Sequence, residues 1–344
     1  MEDGPNMHAG YSHYVLSLVR SLAAPALALA TVLTAAGAEE FADLRARFTP
    51  VDPTIFLQYR VAYRVFGIEI EEVAVANVGV TVGLWRSADG GRTSEVSLVE
   101  FNLDTLRNKE TDTERDVHVS IHNRIVAVLR RPDMDAIVFA KRANQRFQFL
   151  WRKRVTNNEE IYNLETGCLR YHCADYLTGT QTTNLIGHAE LTSEGKEVCR
   201  MLKLVHDAYA GGGADKDLTR DVPVYVYMRG DLVPYTIKVK DRDDPVKVFD
   251  RTMPALRLRA QPIKHLFALS YGSEVWVVSV RDLAARLGQQ DLVRLSRDVT
   301  DWIMVPLIAD LGFPLGTIRA EITEARVGPV PAATQAPAAG PKAK

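Results

Sequence analysis

The chain has 344 residues, of which 47% are hydrophobic and 25% are charged, the composition of an ordinary globular protein. It carries 42 lysines and arginines against 43 aspartates and glutamates, so its formal net charge is -1. Nucleic-acid-binding domains are usually markedly basic, and this balance argues against nucleic acid as the partner. Three cysteines in a chain of this length exclude a disulfide-dense scaffold.

The first forty residues predict export. Residues 21–37 carry no charge, follow Arg20 and end in small residues. A charged residue, an apolar stretch and a small-residue cleavage site describe a secretory signal peptide, so we expect residues 1–38 to be one, with either Met1 or Met7 as the start. An uncleaved membrane anchor is the alternative, but the uncharged stretch lies at the lower length limit for a membrane span.

Beyond the leader, the dominant hydrophobic rhythm has a period of two. In residues 55–65 every odd position is apolar or aromatic, which is typical of a half-buried antiparallel strand. The next run, 68–82, loses this alternation near Glu71 and Glu72, as a β-bulge would require. The turn residues at 229–231 predict a hairpin. Further strands are predicted at 95–103, 117–121, 136–140, 222–228, 233–239, 256–260, 275–280 and 315–323.

Helical periodicity occurs at 193–208 and at 281–298, the second stretch being interrupted at Gly288. Many short strands with two helical insertions predict a mainly β fold, an antiparallel open barrel or curved sheet. The expected organisation is an N-terminal segment, a single β-rich domain and a disordered tail rich in proline and alanine. These parts are assigned to residues 39–53, 54–326 and 327–344.

Two parts of the sequence carry a family resemblance. The early segment YRVAYRVFGIEI and the late segments VWVVS and MVPLIADLGFPLGTIRAEI resemble the opening and closing hairpins of an exported bacterial family, domain of unknown function 3108. The resemblance covers 54–105 and 254–323, with the helical stretch 281–298 as a departure from the family pattern. It implies a lipocalin-like open barrel in the periplasm or envelope of a Gram-negative bacterium, and it implies no catalytic residue.

The cysteines allow several interpretations. In an oxidising compartment Cys168, Cys173 and Cys199 are disulfide candidates. Residues five apart in a straight strand are separated by roughly 16 Å, so a Cys168–Cys173 bridge would need a turn between them. Cys199 pairing with either of them, and buried free thiols, are the alternatives. A zinc site is a weaker interpretation, because one C-x₄-C with a single histidine lacks the usual number and spacing of ligands.

One strand face groups residues with catalytic or metal-binding chemistry. Asp116, His118, Ser120 and His122 alternate with Val117, Val119 and Ile121, so all four are expected on one side of a strand. Two histidines and a carboxylate could bind a metal ion or transfer protons. We favour the simpler interpretation, the solvated face of a half-buried strand, because no ligand from another element can be placed.

A local charge excess defines the basic segment, residues 124–154. It has nine basic residues against two acidic ones, a net charge of +7 in a nearly neutral chain. These charges either line solvated strand faces or form a surface for an anionic partner. Arginine binds phosphate bidentately, which favours the second interpretation. The candidate ligand-binding residues are Arg142, Arg146, Trp151, Arg152, Lys153 and Arg154.

Two classes of function follow from these observations. The first is a non-enzymatic envelope protein whose half-barrel binds an amphipathic or anionic ligand such as lipid, lipopolysaccharide or an acidic polymer. It needs no cofactor. The second is a metal-dependent or hydrolytic enzyme that uses His118 and His122. The sequence contains no nucleophile elbow, Walker loop, zinc-protease motif or dinucleotide fingerprint, so the first class is favoured.

Overall fold

The structure is a computed structural model that describes most of the chain between residues 44 and 329. The described residues are 44–65, 68–105, 118–131, 135–149, 152–163, 165, 168–175, 181–186, 205, 209, 222–228, 231–262, 272–299, 303–313 and 316–329. The leader, most of the predicted helix 193–208 and most of the predicted C-terminal tail lie outside them. So do Asp116, Trp151 and Cys199.

Fifteen strands and two helices form the described part of the chain. The strands are β1 (Phe48–Pro50), β2 (Ile55–Val65), β3 (Ile68–Arg86), β4 (Thr93–Thr105), β5 (His118–Arg130), β6 (Asp135–Phe149), β7 (Arg152–Asn163), β8 (Cys168–Asp175), β9 (Gln181–Ile186), β10 (Val222–Met228), β11 (Asp231–Val248), β12 (Arg251–Pro262), β13 (Ser273–Ser279), β14 (Met304–Phe313) and β15 (Gly316–Val327). The helices are α1 (Val280–Leu287) and α2 (Gln290–Val299). Neither helix is long and apolar enough to cross a membrane.

The strands form one antiparallel sheet in which most strands pair with their neighbours in sequence. The order is β10-β11-β12-β13-β14-β15-β2-β3-β4-β5-β6-β7-β8-β9, and β1 pairs with β3. Strand β15 pairs with β2, which joins the C-terminal strands to the N-terminal ones in the middle of the sheet. The predicted mainly β, antiparallel fold is therefore confirmed as an open sheet among the described strands.

Three local predictions are confirmed. Val61 lies opposite Ala74 and Tyr63 opposite Ile70, so the expected bulge of β3 is present. Strands β10 and β11 form the predicted hairpin, in which Met228 pairs with Asp231 across a two-residue connection. The helical stretch divides into α1 and α2 at Gly288, whose φ of 68° is the left-handed conformation that glycine adopts without a Cβ penalty.

Strands β7, β8 and β9 were not predicted, and β5 and β6 are longer than predicted. The sequence of β7, RKRVTNNEEIYN, shows why, because polar residues occupy both faces and no period-two pattern appears. Such a strand is recognised only through its pairing with β6 and β8.

The two faces of the sheet have different cores. The inner face carries alternate residues of β2 that pack with α1, α2 and β14. The inner-face residues of β2 are Ile55, Leu57, Tyr59 and Val61. The outer face carries a smaller core around Trp85, which is 1% exposed. Leu44, which lies just before β1, belongs to that smaller core, and Phe48, the first residue of β1, packs against it.

Polar contacts fix the segment at 44–50 over the outer face. The Arg47 guanidinium lies over the Trp85 ring, 4.2 Å from the ring centroid, and forms an ion pair with Glu165. The Trp85 indole Nε1 donates to the other carboxylate oxygen of Glu165 at 3.0 Å. Arg45 forms an ion pair with Glu100 on β4. The segment 44–50 therefore covers the apolar part of the outer face.

Candidate functional site

Beyond the apolar part, the outer face presents a continuous line of polar positions. The register of β15, β2, β3, β4, β5, β6, β7 and β8 places one polar residue of each strand directly opposite the next, and we name this line the polar row. Its members are Glu324, Gln58, Asn77, Asn102, Arg124, Arg142, Glu159 and His172. Because the side-chain period of a strand is two, these positions share one face.

Two pairs of neighbouring side chains within the polar row are hydrogen-bonded to each other. The Gln58 amide Nε2 donates to the Asn77 Oδ1 at 3.1 Å. Arg142 donates from Nε and Nη2 to one oxygen of Glu159, at 2.9 and 2.7 Å. Both partners of this second pair are about one-quarter to one-third exposed. The pair is therefore a half-buried cross-strand salt bridge that orients the Arg142 guanidinium.

Arg124 occupies the centre of the polar row. It lies directly opposite Arg142 on one side and Asn102 on the other. Its side chain is exposed and makes no hydrogen bond or ion pair to any residue that the structure describes. Like charges directly opposite each other on neighbouring strands repel. Glu159 pairs with Arg142 and not with Arg124, so the charge of Arg124 is available to a partner.

The line next to the polar row contains the predicted histidine. His122 pairs in register with Asp104 of β4, and its Nδ1 lies 2.7 Å from the Asp104 Oδ1, with both side chains about one-third exposed. The strand register also places His118 and Ser120 on the face of His122. The carboxylate beside His122 comes from β4. The spacing of residues along β5 gives no sign of this partner.

The proposed metal site gains no third ligand from the described residues, which contain no group of three histidine, cysteine or acidic side chains able to hold a metal ion. Asp116 lies outside these residues, so its part in such a site stays a prediction.

The basic segment is divided between the two faces of the sheet. Arg146 pairs with Ser120 and Lys153 pairs with Gln148, which places both on the outer face with Arg142. Arg152 pairs with Phe149 and Arg154 with Phe147, which places these four positions on the inner face. Trp151 lies outside the described residues. The candidate ligand-binding residues therefore do not form one surface, and the outer-face subset gains Arg124.

A second polar region lies on the inner face of β5, β6 and β7. The Lys141 Nζ lies 3.5 Å from the Glu160 Oε1, and the Glu160 side chain is only 3% exposed. No described residue hydrogen-bonds Glu160 Oε2 or the Oδ1 of buried Asn123. Burying this pair costs free energy, because the Glu160 carboxylate loses its hydration and Lys141 compensates for only part of that loss.

The cysteine positions limit the disulfide options. Cys168 and Cys173 both lie on β8, which pairs without interruption with β7. Being five residues apart on a continuous strand, they lie on opposite faces and far beyond bridging distance. Cys173 is a free, half-buried thiol. A Cys168–Cys199 bridge stays a prediction, since Cys199 lies outside the described part.

Two other cations on the outer face have carboxylate partners. Arg257 contacts Glu274 at 2.6 Å and Asp244 at 3.3 Å. Arg319 contacts Asp310 at 3.1 Å. Burial raises the pKa of the Asp310 carboxyl, although the nearby Arg319 opposes that shift. Asp244 lies in a bulged part of β11 and accepts a hydrogen bond from Arg257.

No family model, no curated protein and no solved structure matches the chain. The assignment of a function therefore depends on the residues themselves.

Proposed function

We propose that the protein is an exported, non-enzymatic binding protein that takes an anionic partner on the outer face of β4–β7. The observation that carries the proposal is Arg124, an exposed guanidinium that has no partner among the described residues and lies directly opposite a second guanidinium, Arg142. Guanidinium groups match carboxylate and phosphate geometry, so an anion with two acceptor oxygens would satisfy both side chains.

The magnitude of the attraction follows from the strand spacing. Neighbouring strands lie about 4.8 Å apart. Charges on adjacent strands therefore lie within the Debye length of about 8 Å at physiological ionic strength, and their attraction adds. Each basic residue near an anionic surface contributes roughly 1 kcal/mol. Arg124 and Arg142, which lie directly opposite each other, therefore act together on one anion, and we expect measurable, salt-sensitive binding.

The inner face is the less suitable place for the ligand. A half-barrel that holds an amphipathic ligand needs an open apolar interior. Here the inner face of β2 and β3 packs against the two helices. The helix residues Leu283 and Leu292 are 0% and 1% exposed. The ligand is therefore assigned to the outer face, and the sheet is its rigid support.

The cellular address is part of the same proposal. The uncharged leader supports export, and the resemblance to domain of unknown function 3108 supports a lipocalin-like protein of the Gram-negative periplasm or envelope. In that compartment the available anions include lipid headgroups, lipopolysaccharide phosphates and acidic polymers.

The test is co-sedimentation with anionic phosphatidylglycerol vesicles and neutral phosphatidylcholine vesicles at low and high salt, with inorganic phosphate as a competitor. We compare the wild type with Arg124→Glu combined with Arg142→Glu. The matched control, Arg152→Glu with Arg154→Glu, makes the same charge change on the other face. Binding to anionic vesicles lost only in the first variant supports the proposal. Equal loss in both variants, or equal binding to both kinds of vesicle, contradicts it.

The His122–Asp104 contact supports a second candidate, a hydrolytic enzyme. A carboxylate that holds a histidine Nδ1 is the arrangement by which a general base is oriented. Loss of a hydrolytic activity in His122→Ala, with Arg124→Glu unaffected, would favour the enzyme over the binding protein.

A further inference from the structure

We infer that the anionic partner is a linear acidic polysaccharide that lies across the strands, along the polar row. This inference depends on the proposed function and names the class of partner for the same face. The basis is the regular arrangement of amide and guanidinium side chains across consecutive strands, from Gln58 on β2 to Arg142 on β6.

The geometry of the row favours an extended polymer. One amide or guanidinium is supplied per strand, at intervals of about 4.8 Å, so the five strands from β2 to β6 give a line roughly 19 Å long. A single phosphate or headgroup would occupy only the Arg124–Arg142 pair. A polymer of repeating sugar units presents hydroxyl and carboxylate groups at regular intervals, and it engages many positions of such a line at once.

The chemistry of the row also favours a sugar. An amide side chain both donates and accepts hydrogen bonds, which suits a hydroxyl group. The half-buried Asn102 makes no side-chain hydrogen bond to a described residue and lies directly opposite Arg124. The pair offers a hydroxyl-binding amide beside a carboxylate-binding guanidinium. An acidic sugar carries both of these groups on one ring.

A membrane surface fits the same face less well. Peripheral membrane binding combines basic residues with apolar side chains that enter the interface. The exposed large hydrophobic residues of the described chain are Val51 and Leu84, and neither belongs to the polar row. Among the described residues, the face around Arg124 therefore supplies charge and hydrogen bonds but no exposed apolar anchor.

The test uses polygalacturonate and its oligomers, from monomer to chains longer than the row, measured by isothermal titration calorimetry at low salt. We expect the affinity per chain to rise with length and to level off once the oligomer spans the row. Asn102→Ala should lower polymer affinity about fivefold, the effect of one lost hydrogen bond. Gln290→Ala, an exposed amide at the start of α2, is the matched control and should bind as the wild type does.

The outcomes separate this inference from the proposed function. Binding to anionic vesicles that depends on Arg124, without length-dependent binding to polygalacturonate, overturns the polysaccharide and retains the anion-binding face. Equal polymer affinity of Asn102→Ala and Gln290→Ala likewise overturns the polysaccharide alone. Binding to neither probe overturns both proposals.

Discussion

The buried pair of Lys141 and Glu160 gives a prediction about stability. We expect that Lys141→Met alone destabilises the protein, and that Lys141→Met combined with Glu160→Leu does not. The Glu160 side chain is 3% exposed and one of its oxygens has no hydrogen-bond partner among the described residues. Removing the lysine leaves a desolvated carboxylate with no compensating charge, whereas the double variant removes both charges.

The expected magnitudes follow from the geometry of the pair. Breaking a buried ion pair by removing one partner costs about 3–5 kcal/mol. Lys141 is 24% exposed, so water offsets part of that cost and the lower end of the range applies. At 3.5 Å the two charges attract each other, but that attraction is offset by the cost of desolvating the Glu160 carboxylate. The double variant should be neutral or more stable by about 1–4 kcal/mol.

The assay is urea unfolding followed by circular dichroism, with the free energy of unfolding extrapolated to water. Arg45→Met is the control, because it breaks an ion pair with Glu100 in which the arginine is 66% exposed. That change should cost at most about 1 kcal/mol. If the double variant loses as much stability as Lys141→Met alone, the lysine stabilises the protein through packing and not through its charge, which refutes the prediction.

Three further predictions concern other parts of the molecule. Gly83→Ala should cost about 1–3 kcal/mol in urea unfolding, because its Cβ would lie 2.3 Å from the Thr49 carbonyl oxygen. His118→Ala with His122→Ala should change stability by less than about 1 kcal/mol, because the His122–Asp104 contact that is lost is partly exposed. Burial and then a hydrogen bond to an aspartate raise the pKa of Tyr209 to about 12. Its stabilising contribution is therefore complete below pH 10 and is lost as the pH rises towards 12, and Tyr209→Phe should remove that loss.

Each of these predictions has a control or a contradicting result. Gly91→Ala is the control for Gly83→Ala, since the nearest atoms to its Cβ lie at 3.6 Å or more. Equal stabilities of the two alanine variants would show that β1 moves away from the added Cβ without a loss of unfolding free energy, which would contradict the prediction. A cooperative loss of several kcal/mol in the double histidine variant, or loss of a bound metal, would show a structural or metal site. If Tyr209→Phe loses as much unfolding free energy between pH 9 and pH 11 as the wild type does, Tyr209 is not the source of that loss.

The sequence predicts those strands in which one face is apolar and the other polar. Strand β2 shows this alternation along its whole length, and the bulge of β3 appears as a break in it. Strand β7 has polar residues on both faces, and its inner face includes Thr156 and Glu160, both 2% exposed. A buried polar face gives no hydrophobic period, so β7 could not be predicted from local sequence.

The sequence predicts the excess of positive charge at the candidate site but not which residues share a face of the sheet. The charge excess of residues 124–154 is visible along the chain, but the face of each residue depends on the pairing of β5, β6 and β7. That pairing places Arg152 and Arg154 away from Arg142 and brings Arg124 opposite it. The partner of His122 was missed for the same reason, since Asp104 is adjacent only through the register of β4 and β5.

The most direct measurement of the anion-binding face is arginine labelling with phenylglyoxal, read by mass spectrometry with and without a saturating polyanion, either phosphatidylglycerol vesicles or polygalacturonate. We predict that Arg124 and Arg142 become protected when the polyanion is present, while the labelling rates of Arg152 and Arg154 do not change. Protection of Arg152 and Arg154 with Arg124 still reactive would place the partner on the other face and contradict the proposed binding face.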